Sequence, residues 1–280
     1  GLFITGGVIA GVAFVVHQRR STHPMVDLGL LRIPAVSASL ATNTLGLAVV
    51  FGAYLLMAQY MQLVLDLSPL RAGLWTLPSA LTMIAGSLLT PLLLRVARPR
   101  HVMGGGFVLT ALGLVVLAQV DGGGDLAVVV GASMVFALGA SPAMTLATDL
   151  IVGSAPPERA GAASALSETG SELGGALGIA ILGSIATAVY RDELLASMPA
   201  GVPPDAADSA RDTLGGALAV ASELPADLGT QLAAAAESAF TQALQTAVLV
   251  GAAVAVATAV LTTVLVWRVR TPLPVPAAAD

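Results

Sequence analysis

Apolar runs close to the roughly 20 residues that a helix needs to cross a bilayer recur along this chain from end to end. They cover Gly1 to Val16, Val36 to Leu65, Ala72 to Leu94, Val102 to Val120, Leu126 to Val152, Ala160 to Val189 and Ala243 to Trp267. Hydrocarbon offers no water to backbone N–H and C=O groups, so only helices and closed barrels can span it, and unbroken apolar runs of this length belong to helices. Only 10% of the residues are charged, against about 25% in soluble domains. The expectation is an all-α integral membrane protein with seven transmembrane helices. The absence of cysteine excludes disulfides, thiolate zinc sites and cysteine nucleophiles. A net charge of -5 without a basic domain gives no footprint for nucleic acid. Neither HExxH nor a phosphate-binding P-loop is present, and His17, His23 and His101 all lie in or beside loops. No catalytic residue, metal or cofactor is therefore expected, and the chain does not read as an enzyme.

The 12 basic residues, all arginines, orient the spans, because short cytoplasmic loops collect positive charge. Strict alternation puts nine (Arg19, Arg20, Arg32, Arg95, Arg98, Arg100, Arg159, Arg268 and Arg270) on one side and three (Arg71, Arg191 and Arg211) on the other. The first side is then cytoplasmic. This divides the chain into a first helix over 1–16, a cytoplasmic loop over 17–35, a six-helix bundle over 36–267 and a cytoplasmic tail over 268–280. In the loop, Met25 to Leu31 reads as a short helix at the membrane interface or as irregular chain. Within the bundle, 191–242 is the one sizeable polar connection, acidic, rich in Ala and broken by Pro199, Pro203, Pro204 and Pro225. It is expected to be extracytoplasmic, with short surface helices between turns. With no initiator Met and a short first span, the chain reads as a piece of something longer.

An ionised carboxylate at bilayer depth costs about 2.5 to 3.5 kcal/mol even on the lenient insertion scale, which marks such residues as functional candidates. Glu168 and Glu172 qualify. At 1.5 Å per residue they lie roughly 10 and 16 Å past the start of the sixth span. Spacing i to i+4 puts both on one face, with Ser164 beside them. Gly170, Gly174 and Gly178 form a small-xxx-small stripe on the nearly opposite side, suited to close helix packing. Two neighbouring carboxyls in a dry cavity could share a proton or exchange it for a cation, as proton-coupled transport requires, or could serve as permanently protonated, hydrogen-bonded glue between helices.

Other polar residues in the spans are weaker candidates for a cavity or gate. Asn43 and Gln59, with Thr44 and Gln62, either line a polar path or tie helices together. Pro142 should free a carbonyl in the fifth span and bend it. Asp149 and Arg159 fall near the cytoplasmic ends of their spans, where a gate would sit.

From Ala155 the sequence runs APPERAGAASALSETGSELGGALGIAILGSI, preceded by PMVDLGLLR after the first span, LDLSPLRAGLWTLP entering the third and TPLLLRVARPRHVMGGG leaving it. In order and spacing these blocks resemble the fourteen-span drug:proton antiporters of the major facilitator superfamily, the branch of multidrug and quaternary-ammonium exporters. The resemblance implies that spans two to seven form the C-terminal six-helix bundle and that the first span is one of two extra central helices. It further implies that Glu168 and Glu172 help to recognise cations and couple to protons. The loop Arg95 to His101 lacks the acidic residue of the superfamily's usual loop motif, and the antiporter signature belongs to an N-terminal half that this sequence lacks. The implied function is proton-coupled efflux of hydrophobic or cationic drugs by alternating access, with the proton as coupling ion and no cofactor. The implied partners are a small-molecule substrate, the lipid bilayer and the missing N-terminal bundle of the same chain. The implied location is the plasma (inner) membrane, multi-pass, with a cytoplasmic C-terminus. Export of a neutral or anionic metabolite, peptide or lipid, or a non-transporting scaffold whose glutamates only stabilise packing, remain the competing readings.

Overall fold

The computed structural model describes residues 2–20, 27, 29–122 and 126–265. Among them there are helices and no strands. The helices are α1 (Leu2–Arg20), α2 (Pro34–Gln59, continued by a π-helical turn Tyr60–Val64), α3 (Pro69–Val96), α4 (Pro99–Leu117), α5 (Leu126–Gly153), α6 (Ala160–Ser197), α7 (Pro204–Asp212), α8 (Leu214–Glu223) and α9 (Ala226–Leu265). Six of them, α2 to α6 and α9, are long and apolar enough to cross a membrane. The first expected span lies in α1, whose apolar part, Thr5–Gln18, is shorter than the others. That helix runs past Val16 to Arg20 because Gln and Arg are good helix formers, so the helix outlasts its hydropathy.

Proline sets several boundaries. Pro34, Pro69, Pro99 and Pro204 each stand in the first turn of a helix, where the missing N–H costs nothing. The helices then assemble through small residues. α4 meets α5 where Gly106 faces Gly139, so closely that a Cβ on Gly106 would come within 2.6 Å of the Gly139 carbonyl oxygen. Nearby, Gly113 lets the backbone of Phe136 approach. α5 also packs on α2 and α3, while α9 packs on α2, α4 and α6. The resulting core draws on α2, α4, α5, α6 and α9 through residues such as Leu56, Leu114, Phe136, Leu182 and Leu244. α3 is the most exposed of the six membrane-length helices, burying only a stripe made of Ala72, Ser79, Gly86 and Thr90.

The polar connection is shorter than its composition suggests. α6 continues to Ser197 and α9 already begins at Ala226, so only 198–225 connects them. Prolines mark the connection's edges, whereas the Ala-rich segments on either side carry no breaker and stay helical. α7 and α8 are not freely solvated either. Ala210, Leu214, Ala217 and Ala221 are buried and continue the main core, and the Tyr190 hydroxyl donates to the Ala210 carbonyl at 2.8 Å. The two helices therefore cap one end of the bundle. Tyr190→Phe should lower stability by about 1 kcal/mol, seen as a small drop in the thermal midpoint of the purified protein, since one buried hydrogen bond is lost.

At the other end, Met25, Val26 and Leu28 of the segment expected as an interfacial helix (Met25 to Leu31) lie outside the described residues, as does the tail over 268–280. What is described there is a 3-10 turn, Leu30–Arg32, whose Leu30 is fully buried among Val36, Ile151, Ala163 and Leu166. This leucine docks onto α2, α5 and α6 instead of facing lipid, because the three helix ends leave an apolar notch there.

Candidate functional site

The site is organised by α6. On one side, its glycines admit α2. A Cβ on Gly170 would come within 2.6 Å of Leu40 Cδ1, and those on Gly174 and Gly178 would run into the carbonyl oxygens of Thr44 and Ala48. Polar bonds fasten the same seam. Thr44 Oγ1 donates to the Gly170 carbonyl at 3.1 Å, and Asn43 Nδ2 donates to Ser171 Oγ at 2.9 Å, while Ser171 in turn donates to the Ser167 carbonyl. Asn43 is 2% exposed and sits between α2 and α6. Intramembrane hydrogen bonds of this kind average about 0.6 kcal/mol and reach about 1.7. Asn43→Ala should accordingly cost no more than ~2 kcal/mol of stability, measured by unfolding in detergent, with the fold retained.

Glu168, Glu172 and Ser164 lie on the face of α6 turned away from this seam, and all three are exposed. Among the described residues neither carboxylate takes part in an ion pair or a hydrogen bond. The neighbouring hydroxyls are already engaged with backbone, Thr169 with Ala165 and Ser171 with Ser167. The aromatic ring of Phe51 on α2 borders this face, near Gly175. The sequence offered no signal for Phe51 beyond its place in an apolar run.

The remaining candidates are dispersed. Gln59 is half-buried and lines a cleft of about 440 Å³ between the ends of α2 and α6, together with Thr187, Tyr190, Asp212 and Phe240. Pro142 is buried in the interior of α5, which continues as a helix through it. The carbonyl it leaves without an N–H partner, that of Leu138, lies 3.3 Å from where a Cβ on Gly86 of α3 would sit. Asp149 is exposed near the end of α5. Arg159 forms an ion pair with Asp27 at 3.2 Å, and Asp27 also accepts from the Gly29 N–H at 2.9 Å. Asp27 was absent from the sequence-derived candidates because nothing local links it to a residue so far along the chain. The pair ties the segment before α2 to the loop between α5 and α6. Glu168 and Glu172 thus share one face, whereas Gln59, Pro142, Asp149 and Arg159 stand at other places in the bundle.

A family model described as Major Facilitator Superfamily matches residues 1–190 of this chain. The chain belongs to the Major Facilitator Superfamily. Within it, the chain is 39% identical over 189 residues to the multidrug efflux pump LfrA of Mycolicibacterium smegmatis, covering 67% of this chain and 37% of that protein. It is 33% identical over 185 residues to the methyl viologen resistance protein SmvA of Salmonella typhimurium, covering 64% and 36%. Identity to the tetracenomycin C resistance and export protein of Streptomyces glaucescens is 29% over 181 residues, covering 65% and 34%. The match therefore spans about a third of the length of these Major Facilitator Superfamily relatives.

Proposed function

We propose that this chain is the C-terminal portion of a proton-coupled exporter of hydrophobic or cationic drugs, a secondary transporter working by alternating access. The observation that carries the reading is the exposed face of α6 with Glu168 and Glu172. Hydrocarbon is a costly environment for two carboxylates, so a face bearing them at this depth needs water or a polar protein surface opposite it. An N-terminal bundle of the same chain supplies that surface, and the space between the halves is where substrate binds. Glu168 alternates between a proton and the substrate, and Glu172, one turn on, adjusts its proton affinity and extends the binding region. In this reading the protein lies in the plasma membrane with a cytoplasmic C-terminus, which the arginine distribution supports, and the Asp27–Arg159 pair serves as a latch on the cytoplasmic side. A scaffold that uses the glutamates as glue would bond them to neighbouring helices, and among the described residues no such bond is formed.

The test is transport by the full-length protein in proteoliposomes holding a pH-sensitive dye. Tetraphenylphosphonium, a lipophilic cation, should be concentrated at the expense of an imposed pH gradient, and its addition should release protons. Movement of the cation without any response to the gradient defeats the proposal. A second reading is export of a neutral or anionic metabolite; one relative is named for the export of tetracenomycin C. A neutral polycyclic phenol run in parallel distinguishes the two, because only the first reading requires a cation for proton release.

A further inference from the structure

We infer that the hollow between α3, α4 and α5 is a binding site for an anionic phospholipid, with an acyl chain in the hollow and the headgroup phosphate on the basic hairpin at its mouth. α3 leans on α5 and touches α4 little, which leaves a groove of about 400 Å³. Its walls are Leu89, Leu93, Leu109 and Leu138, and Gly106 forms part of its floor. The groove is apolar along most of its length and extends to His101 in the first turn of α4. These helices do not carry the Glu168 face, so the groove is separate from the proposed drug site.

The mouth has the complementary charge. Arg95 stands in the last turn of α3, Arg98 precedes α4, and Arg100 and His101 are in its first turn. The sequence holds no Asp or Glu from 67 to 120. Neither Arg95 nor Arg98 has a carboxylate partner among the described residues, and both are exposed. The carboxylates described at this end, Asp27, Asp149 and Glu158, lie on other segments, and Asp27 is paired with Arg159. No side chain caps the N-terminus of α4, so its partial positive charge adds to that of the arginines. A zwitterionic lipid offers this mouth a phosphate that its own ammonium offsets, whereas an anionic one brings net negative charge that each nearby arginine attracts.

Lipid retention by the purified full-length protein tests this, with phosphatidylglycerol and phosphatidylcholine of identical chains as probes and native mass spectrometry as readout. Wild type should retain phosphatidylglycerol preferentially. Arg95→Gln with Arg98→Gln should weaken phosphatidylglycerol retention by roughly 10- to 30-fold and leave phosphatidylcholine unchanged. Gly105 also lines the groove, and a Cβ there meets nothing within 4 Å. Gly105→Phe should therefore fill the groove without disturbing the packing and weaken retention of both lipids; Gly105→Leu is the milder version should Phe impair folding. Equal retention of the two lipids by wild type overturns the inference. So does an effect of the arginine variants alone, which would mean diffuse attraction to charge, or of the glycine variants alone, which would mean an unselective apolar seat.

Discussion

Under the proposed function, replacing Glu168 with Gln in the full-length protein is expected to cut drug-dependent proton release at least ~tenfold, equivalent to about 1.4 kcal/mol or more in the coupled step. Gln has nearly the same shape and can still accept and donate hydrogen bonds, but it cannot exchange a proton or present a negative charge to a cation. The substitution thus separates the chemistry from the packing, and the exposed position of Glu168 leaves the α2–α6 seam untouched. Glu172→Gln should weaken cation affinity and move the pH dependence of transport more than it lowers the maximal rate, because in this proposal it acts through its neighbour. Coupled efflux that persists undiminished in Glu168→Gln would remove the residue from the mechanism, whatever the relatives transport.

A large effect on stability is expected at Gly178. A Cβ there runs into the Ala48 carbonyl, which belongs to helix backbone and cannot rotate aside. Overpacking of this kind costs about 1 to 3 kcal/mol and occasionally more, which exceeds the roughly 1 kcal/mol that Ala gains over Gly in helix propensity. Gly178→Ala should therefore lower the thermal midpoint by several degrees, and Gly178→Leu should prevent accumulation of folded protein. Five residues along the same helix, Gly183 meets nothing within 4 Å at its Cβ position. Gly183→Ala should be neutral or slightly stabilising, so the pair of alanine variants gives opposite signs on one helix. Equal midpoints for the two would show that α2 and α6 are not held together at Gly178.

Both expectations rest on a helix whose two faces can be read directly from the letters. The period of 3.6 residues places Glu168 with Glu172 and Ser164, and places Gly170, Gly174 and Gly178 on the other side, before any neighbour is known. Boundaries were less legible. The hydropathy of α6 and α9 falls well inside the helices, which the backbone continues through polar, Ala-rich sequence to Ser197 and back to Ala226. Leu30 gave only its apolar character; the notch that receives it exists because Val36, Ile151, Ala163 and Leu166 converge from three helices.

By itself, then, the sequence determined the membrane class, the six long apolar helices that follow the shorter first one, and the angular sorting of the glutamates and glycines along α6. Each of these follows from local quantities: the thickness of hydrocarbon, the rise per residue and the helical period. Tertiary structure alone decided which partner each face meets. Asn43 and Ser171 are 128 residues apart and bond at 2.9 Å, and Asp27 reaches Arg159 only because the ends of α2, α5 and α6 gather at one side. The hollow that opens beside α4 likewise depends on α3 leaning towards α5, a choice made by the fit of Gly86 against Ser141 and Pro142. Such pairings depend on close packing between distant segments, and helical periodicity carries no information about them.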